Sequence, residues 1–430
     1  MFSSFSSFSN PFRLPRFLSG GNNATIAVDP VEVHDVEIRS DKRSRTLKHL
    51  LRLNHVNNSI IYHDLEFHNH MAHILGSAYL FDAEPDHLND IYNVEAKELE
   101  PWKDSPGEVS TYDWRDYLGD ARYQRAYVDF FEDELVLNGY DWRKVLVTYL
   151  FQGKEPLINN LVSGLGHPLI HLGYAYELSS RDLAMEALAM AATSYNHLHK
   201  YLDDPSYTTP SPTNPSKSPL ELLCRLQKDT RFEGVLRDPG PDNLQPLFRN
   251  HEALMLEYWN AWQISSDPTQ DFQASQRAAA ALLVASRKAG GAPYDFFLVH
   301  VLTTSHAVRI LLPLLPAKYH IPLVRQWWLL TLSVYIAQLR PEILLRSVGD
   351  YDLKGRGWGW VDGQAVGGKY ALDAHYVKGL RALKTAARTW GDEDRFYLKA
   401  AVRFGDEFDG WGGFGLSSRE GAQPTGDKYA

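Results

Sequence analysis

Histidines beside apolar helical runs are the residues of this chain whose type and spacing suit chemistry. Of its 17 histidines, His63, His68, His70 and His73 cluster ahead of Ile74-Leu75, and His167 and His171 flank Pro168. His300 and His306 stand in FFLVHVLTTSHAVRILLP, and His375 precedes Lys378 by three. A single imidazole among apolar neighbours is either a metal ligand or a satisfied core residue, and a lysine beside one is usually a solvated face. Four separate segments sharing the pattern point further. Imidazoles gathered from several helices suit Fe, Zn, Cu or Ni, and helical-bundle cores are where such sites are built.

Spacing ranks the candidates. Six residues turn a helix through about 600°, so His300 and His306 face different ways and at most one reaches a shared centre. His375 and Lys378 share a face. Asp373 lines up poorly with Lys378 and leaves it without an obvious local acid partner. In LVSGLGHPLIHLGYAYELSS, residues 161–180, Gly164 and Gly166 permit a sharp turn and Pro168 fits a first helical position. That reading puts His167 just before the helix and His171 inside its first turn, so His171 is the preferred ligand and His167 a neighbour.

The elements that must position these residues are helical. Apolar periodicity predicts helices over 47–60, 67–81 (Asn69 as N-cap), from 86, 122–138, 141–152, from 168, 181–201, 220–226, 246–264, 273–288, 294–315, 322–338 and 373–390. One short strand is expected within 27–38. Residues 354–368, KGRGWGWVDGQAVGG, read as a loop, and glycine-rich sequence fills the chain from 405. The prolines of 203–219 mark a surface insertion. The expectation is an all-α fold with little strand: a disordered tail over 1–28, then one large helical domain over 29–430. A two-lobed version cut near 205–219 is the alternative.

Composition excludes several classes. The chain has 430 residues, 44% of them hydrophobic, enough for a large core. A net charge of −9 with no basic stripe argues against nucleic acid. One cysteine, Cys224, rules out internal disulfides and multi-cysteine metal sites, and makes the cytoplasm the expected compartment. No run of 18 apolar residues stands out, so no membrane span is expected. There is no G-x-G-x-x-G after a strand, no phosphate-binding loop, no H-E-x-x-H and no G-x-S-x-G. The high aromatic content, 11 Trp, 23 Tyr and 19 Phe, leaves room for a pocket around a flat aromatic ligand. Tyr174, Trp358, Trp360 and Tyr376 are its candidate walls.

Four motifs together, NHMAHILGSAYLF, LVSGLGHPLIHLGYAYEL, DFFLVHVLTTSHAVRILLP and DAHYVKGLRAL, resemble the questin-oxidase-like family of fungal secondary metabolism. They run from Asn69 to Leu383. The resemblance implies an oxidoreductase that opens anthraquinone rings with O2 at a non-haem iron(II) held by four histidines and a carboxylated lysine. Carried onto this sequence, the ligands are His70, His171, His300 and His375, with Lys378 bearing a CO2-derived carbamate. His73, His167 and His306 are the replacements to consider. NADPH enters as a reductant of the quinone, or as the cofactor of an alternative Baeyer–Villiger-type monooxygenase. A third reading is a non-catalytic helical binder of aromatic polyketides.

Overall fold

Side-chain caps start many of the helices. Asp41, Asp141, Ser180, Asp295 and Asp373 each accept a backbone N–H from the first turn that follows. In the computed structural model, which describes residues 25–209, 215–287 and 292–415, the chain is all-α, as expected. The strands among the described residues are two short pairs. Ile61–Tyr62 runs antiparallel to Phe67–His68, and Tyr294–Asp295 runs parallel to Trp411–Gly412.

Helices Phe296–Leu311 and His167–Leu178 are buried at every position. A helix that is apolar all round belongs in a core. The span Phe296–Leu314 is long and apolar enough to cross a membrane, yet 89% of its most apolar window is buried inside the protein. Around it, Met71–Leu80 packs on His167–Leu178, which packs on Phe296–Leu311. That helix packs on Ala374–Trp390, which returns to Met71–Leu80. Four helices from distant parts of the sequence therefore close a ring.

Several boundaries differ from expectation. The tail expected over 1–28 lies outside the described residues up to 24, but Ile26 is already buried and its N–H donates to His320 Nδ1. No strand forms in 27–38; instead the N–H groups of His34 and Val36 donate to the Glu177 and Leu178 carbonyls at a helix end. The helix from Arg181 stops at Thr193, and 246–264 splits at His251 into Leu244–Asn250 and Glu252–Ala261. Residues 210–214 of the Pro-rich insertion are outside the described set. The glycine-rich loop contains a helix, Trp358–Gly367, and a further helix, Phe396–Glu407, follows the one expected to be last.

Candidate metal centre

Each of the four ring helices brings one histidine to a common point. Asn69 is fixed by its own side chain, which accepts from Met71 N and donates to Asn54 Oδ1 and the Ser59 carbonyl. His70 follows as the N-cap of Met71–Leu80. His167 is the first residue of His167–Leu178, set there by Gly166 at φ 80°. His300 stands on Phe296–Leu311, and His375 is the second residue of Ala374–Trp390, behind the Asp373 cap. All four are buried, and their ligand nitrogens lie within 4.8 Å of one another.

Hydrogen bonds decide which nitrogen is available. Nδ1 of His70 donates to the His68 carbonyl at 2.8 Å, that of His167 to Gly164 at 2.5 Å and that of His300 to Phe296 at 2.8 Å. A carbonyl only accepts, so Nδ1 carries the proton and Nε2 of each neutral ring is a bare acceptor. Nε2 of His70 and His167 are 3.0 Å apart, and those of His300 and His375 are 3.2 Å apart. For His70 and His167, whose Nδ1 protons are both given to carbonyls, two unprotonated Nε2 atoms that close repel unless a cation lies between them. Nitrogens bound side by side to one first-row ion, each at about 2.1 Å, are separated by about 3.0–3.4 Å. The donor set therefore fits a metal ion, with the orienting hydrogen bonds of His70, His167 and His300 already made.

His171 is placed elsewhere. Its Nε2 bonds Glu186 Oε2 at 2.8 Å and its Nδ1 bonds His73 Nε2 at 3.2 Å, so both nitrogens are committed. His167 joins the group of four instead. The cause is the helix start: it falls at His167 rather than after it, and His171 sits one turn deeper on the same face. Glu186 also bonds His55 at 2.7 Å, and His55 bonds Glu132 at 2.8 Å. The acids were absent from the sequence reading. The signal available was a lone glutamate within the apolar run LAMEALAMAA.

Lys378 is buried, at 1% exposure, one turn beyond His375. Burial pushes the His73 pKa well below its ordinary value. His306 is buried away from the four, towards Arg309 and Arg381, and His63 is partly exposed. His68 stacks on His167 with ring centres 4.3 Å apart.

The aromatic walls also differ from those expected. Phe296 lies 4.9 Å from the His300 ring and 4.5 Å from His375, and Trp411 lies 6.1 Å from His375 with its Nε1–H donated to Asp373. Tyr174 stacks on His73 at 5.1 Å, while Tyr376 packs among Phe404 and Phe408. Trp360 sits near Gly405, and Trp358 is only partly buried.

The family model described as questin oxidase-like matches residues 67–383. A Baeyer-Villiger oxidase of Pestalotiopsis microspora is 25% identical over 81% of this chain and 82% of its own length. A Baeyer-Villiger monooxygenase of Aspergillus aculeatus is 27% identical, covering 79% and 78% respectively. A questin oxidase of Aspergillus fumigatus is 26% identical, covering 78% and 79%.

Proposed function

This chain belongs to the questin oxidase-like family, and we propose that it is an oxidoreductase that opens the ring of an anthraquinone-type polyketide with O2. Iron(II) would be held by His70, His167, His300 and His375, with a carbamate on Lys378 as the anionic ligand. The observation that carries the reading is the 3.0 Å approach of two Nε2 atoms whose Nδ1 protons are both given to carbonyls. Bound there, iron supplies O2 activation that no side chain provides.

The chain's own residues do the rest. His70, His167 and His375 stand at helix starts, where the peptide dipoles place partial positive charge. That environment opposes a bare cation and favours anions beside it: a carbamate, formed when a neutral lysine amine adds to CO2 and releases a proton, and a substrate phenolate. Phe296 and Trp411 pack against His300 and His375 and give that side of the centre the apolar, aromatic surroundings a flat polycycle favours. Burial of all four imidazoles keeps bulk water from the reacting centre.

The relatives' names favour a second reading, Baeyer–Villiger-type monooxygenation with NADPH. The balances differ. A two-electron-reduced hydroquinone plus both atoms of O2 has the composition of the ring-opened benzophenone acid. The quinone plus one oxygen atom reaches a lactone, and water then completes the acid. Reaction under ¹⁸O2 with iron-loaded protein and a pre-reduced anthraquinone is expected to place two labels in the product without NADPH, and chelation is expected to abolish it. One label, a strict NADPH requirement and indifference to chelation would establish the second reading.

A further inference from the structure

The four ring helices also meet at their other ends. There the described residues enclose a cavity of about 440 Å³, lined by Leu80 and Phe81, Glu177, Arg309, and Arg381 with its followers on Ala374–Trp390, and closed by Val31 to His34. Arg309 is nine residues past His300 and Arg381 six past His375, about 13 and 9 Å along their helices. Tyr174 separates the two places: its ring stacks on His73 and carries the Arg381 guanidinium on the cavity side, 5.2 Å from the ring centre. The cavity is thus distinct from the metal centre.

The lining brings Glu32, Asp82, Glu177 and Asp362 beside Arg309, Arg381, Lys384 and Arg388, equal in number but not all paired with one another. Arg381 pairs with Glu177, Lys384 with Asp362 and Asp82 with Arg43. Arg309 is 6% exposed, its Nε donates only to the neutral Thr389 hydroxyl, and no carboxylate among the described residues comes within ion-pair distance. The C-terminal end of its own helix offsets part of that charge but supplies no acceptor to Nη1. Four buried polar atoms on this one wall lack hydrogen-bond partners: Nη1 of Arg309, Nη1 of Arg381, Oε2 of Glu177 and Nδ1 of His34. A buried guanidinium donor left unfilled is costly, and the planar N–H groups of a guanidinium pair in a fork with carboxylate or phosphate. Val31, Leu80 and Phe81 add an apolar wall, in a volume suited to a small organic molecule.

We propose that this cavity is a second ligand site, taking an organic anion by its carboxylate or phosphate against Arg309 and Arg381. Glu177 Oε2 accepts from a hydroxyl on the same ligand, and the apolar wall covers its body. Titration calorimetry of the full-length, metal-loaded protein tests this with benzoate, inorganic phosphate and benzamide, the neutral counterpart of benzoate. One equivalent of benzoate or phosphate is expected to bind, each displacing the other, with benzamide at least about tenfold weaker. Benzoate the tighter of the two assigns an aromatic acid; phosphate the tighter assigns a phosphate-bearing ligand. Arg309→Met is expected to weaken both anions at least about tenfold while metal content stays unchanged. Benzoate no tighter than benzamide in the unmodified protein, or an Arg309→Met variant that binds like it, would overturn the proposal. The comparison of benzoate with benzamide decides even where the variant fails to fold.

Discussion

His167 and His171 are four residues apart on one helix face and have different partners, and the difference comes from what each nitrogen already bonds. His167 keeps Nε2 for the centre; His171 spends both nitrogens on Glu186 and His73. Residue type and apolar surroundings marked several histidines in the sequence, and the resemblance to the questin-oxidase-like family picked His70, His300 and His375 among them, which the fold brings together. The choice between His167 and His171 was not legible there, because it depends on where the helix begins to within one residue. Glu186 anchors the second network. Burial would lower the His55 pKa, but hydrogen bonds to Glu132 and Glu186 raise it to about 10. Burial would raise that of Glu186, but hydrogen bonds from His171 and His55 hold it down to about 2. The histidine contribution to stability is therefore complete below its unfolded value of 6.5 and lost as pH rises through about 10. The glutamate contribution is complete above 4.5 and lost as pH falls towards 2. Glu186→Gln is expected to cost about 3 kcal/mol at pH 7 in urea unfolding. It should also flatten the fall in stability between pH 7 and 10; profiles parallel to those of the unmodified protein would contradict this.

At the scale of elements, the turn at Gly164 and Gly166 fixes where His167 starts its helix. A Cβ on Gly166 would lie 2.5 Å from Thr304 Oγ1, on the helix that carries His300, and its φ of 80° suits only glycine. Gly166→Ala is expected to destabilise the protein by about 2 kcal/mol or more and to weaken metal binding. Adding Thr304→Ala should recover the steric part and leave the backbone part. Thermal melts of the three variants read this directly, and strictly additive effects would contradict it. The long apolar helices were legible because burial on all sides leaves an unbroken apolar sequence. Trp358–Gly367 was not: it has several glycines and only Val361 and Ala365 buried, and it is held by packing on Ala374–Trp390 and Phe396–Glu407. Phe396–Glu407 was hidden by a start whose caps lie upstream of Arg395, with Asp394 accepting from Phe396 N and Asp392 from Tyr397 N and Leu398 N, and by Gly405, where an added Cβ would meet Trp360 and the Tyr376 hydroxyl at 3.2–3.3 Å.

At the scale of the molecule, a ring of four helices gathers residues from 70 to 375, a span that falls within the family match over 67–383. The ring makes two ends from one set of helices, imidazoles at one and arginines at the other. The all-α class followed from periodicity alone. The ring did not, since which helices touch is decided by packing between segments far apart in the sequence. The neighbourhood of Trp411 and His375 was hidden for the same reason, since the pairing of Tyr294–Asp295 with Trp411–Gly412 brings that tryptophan in from outside the four ring helices. The central claim is that this ring holds one iron through His70, His167, His300 and His375. The direct test is an anomalous difference map at the iron edge, from crystals grown anaerobically with Fe(II). The account predicts one peak about 2.0–2.2 Å from the Nε2 atoms of all four, with His171 still bonded to Glu186. No peak among these residues, or a peak bonded to His171 with His167 turned away, would contradict it.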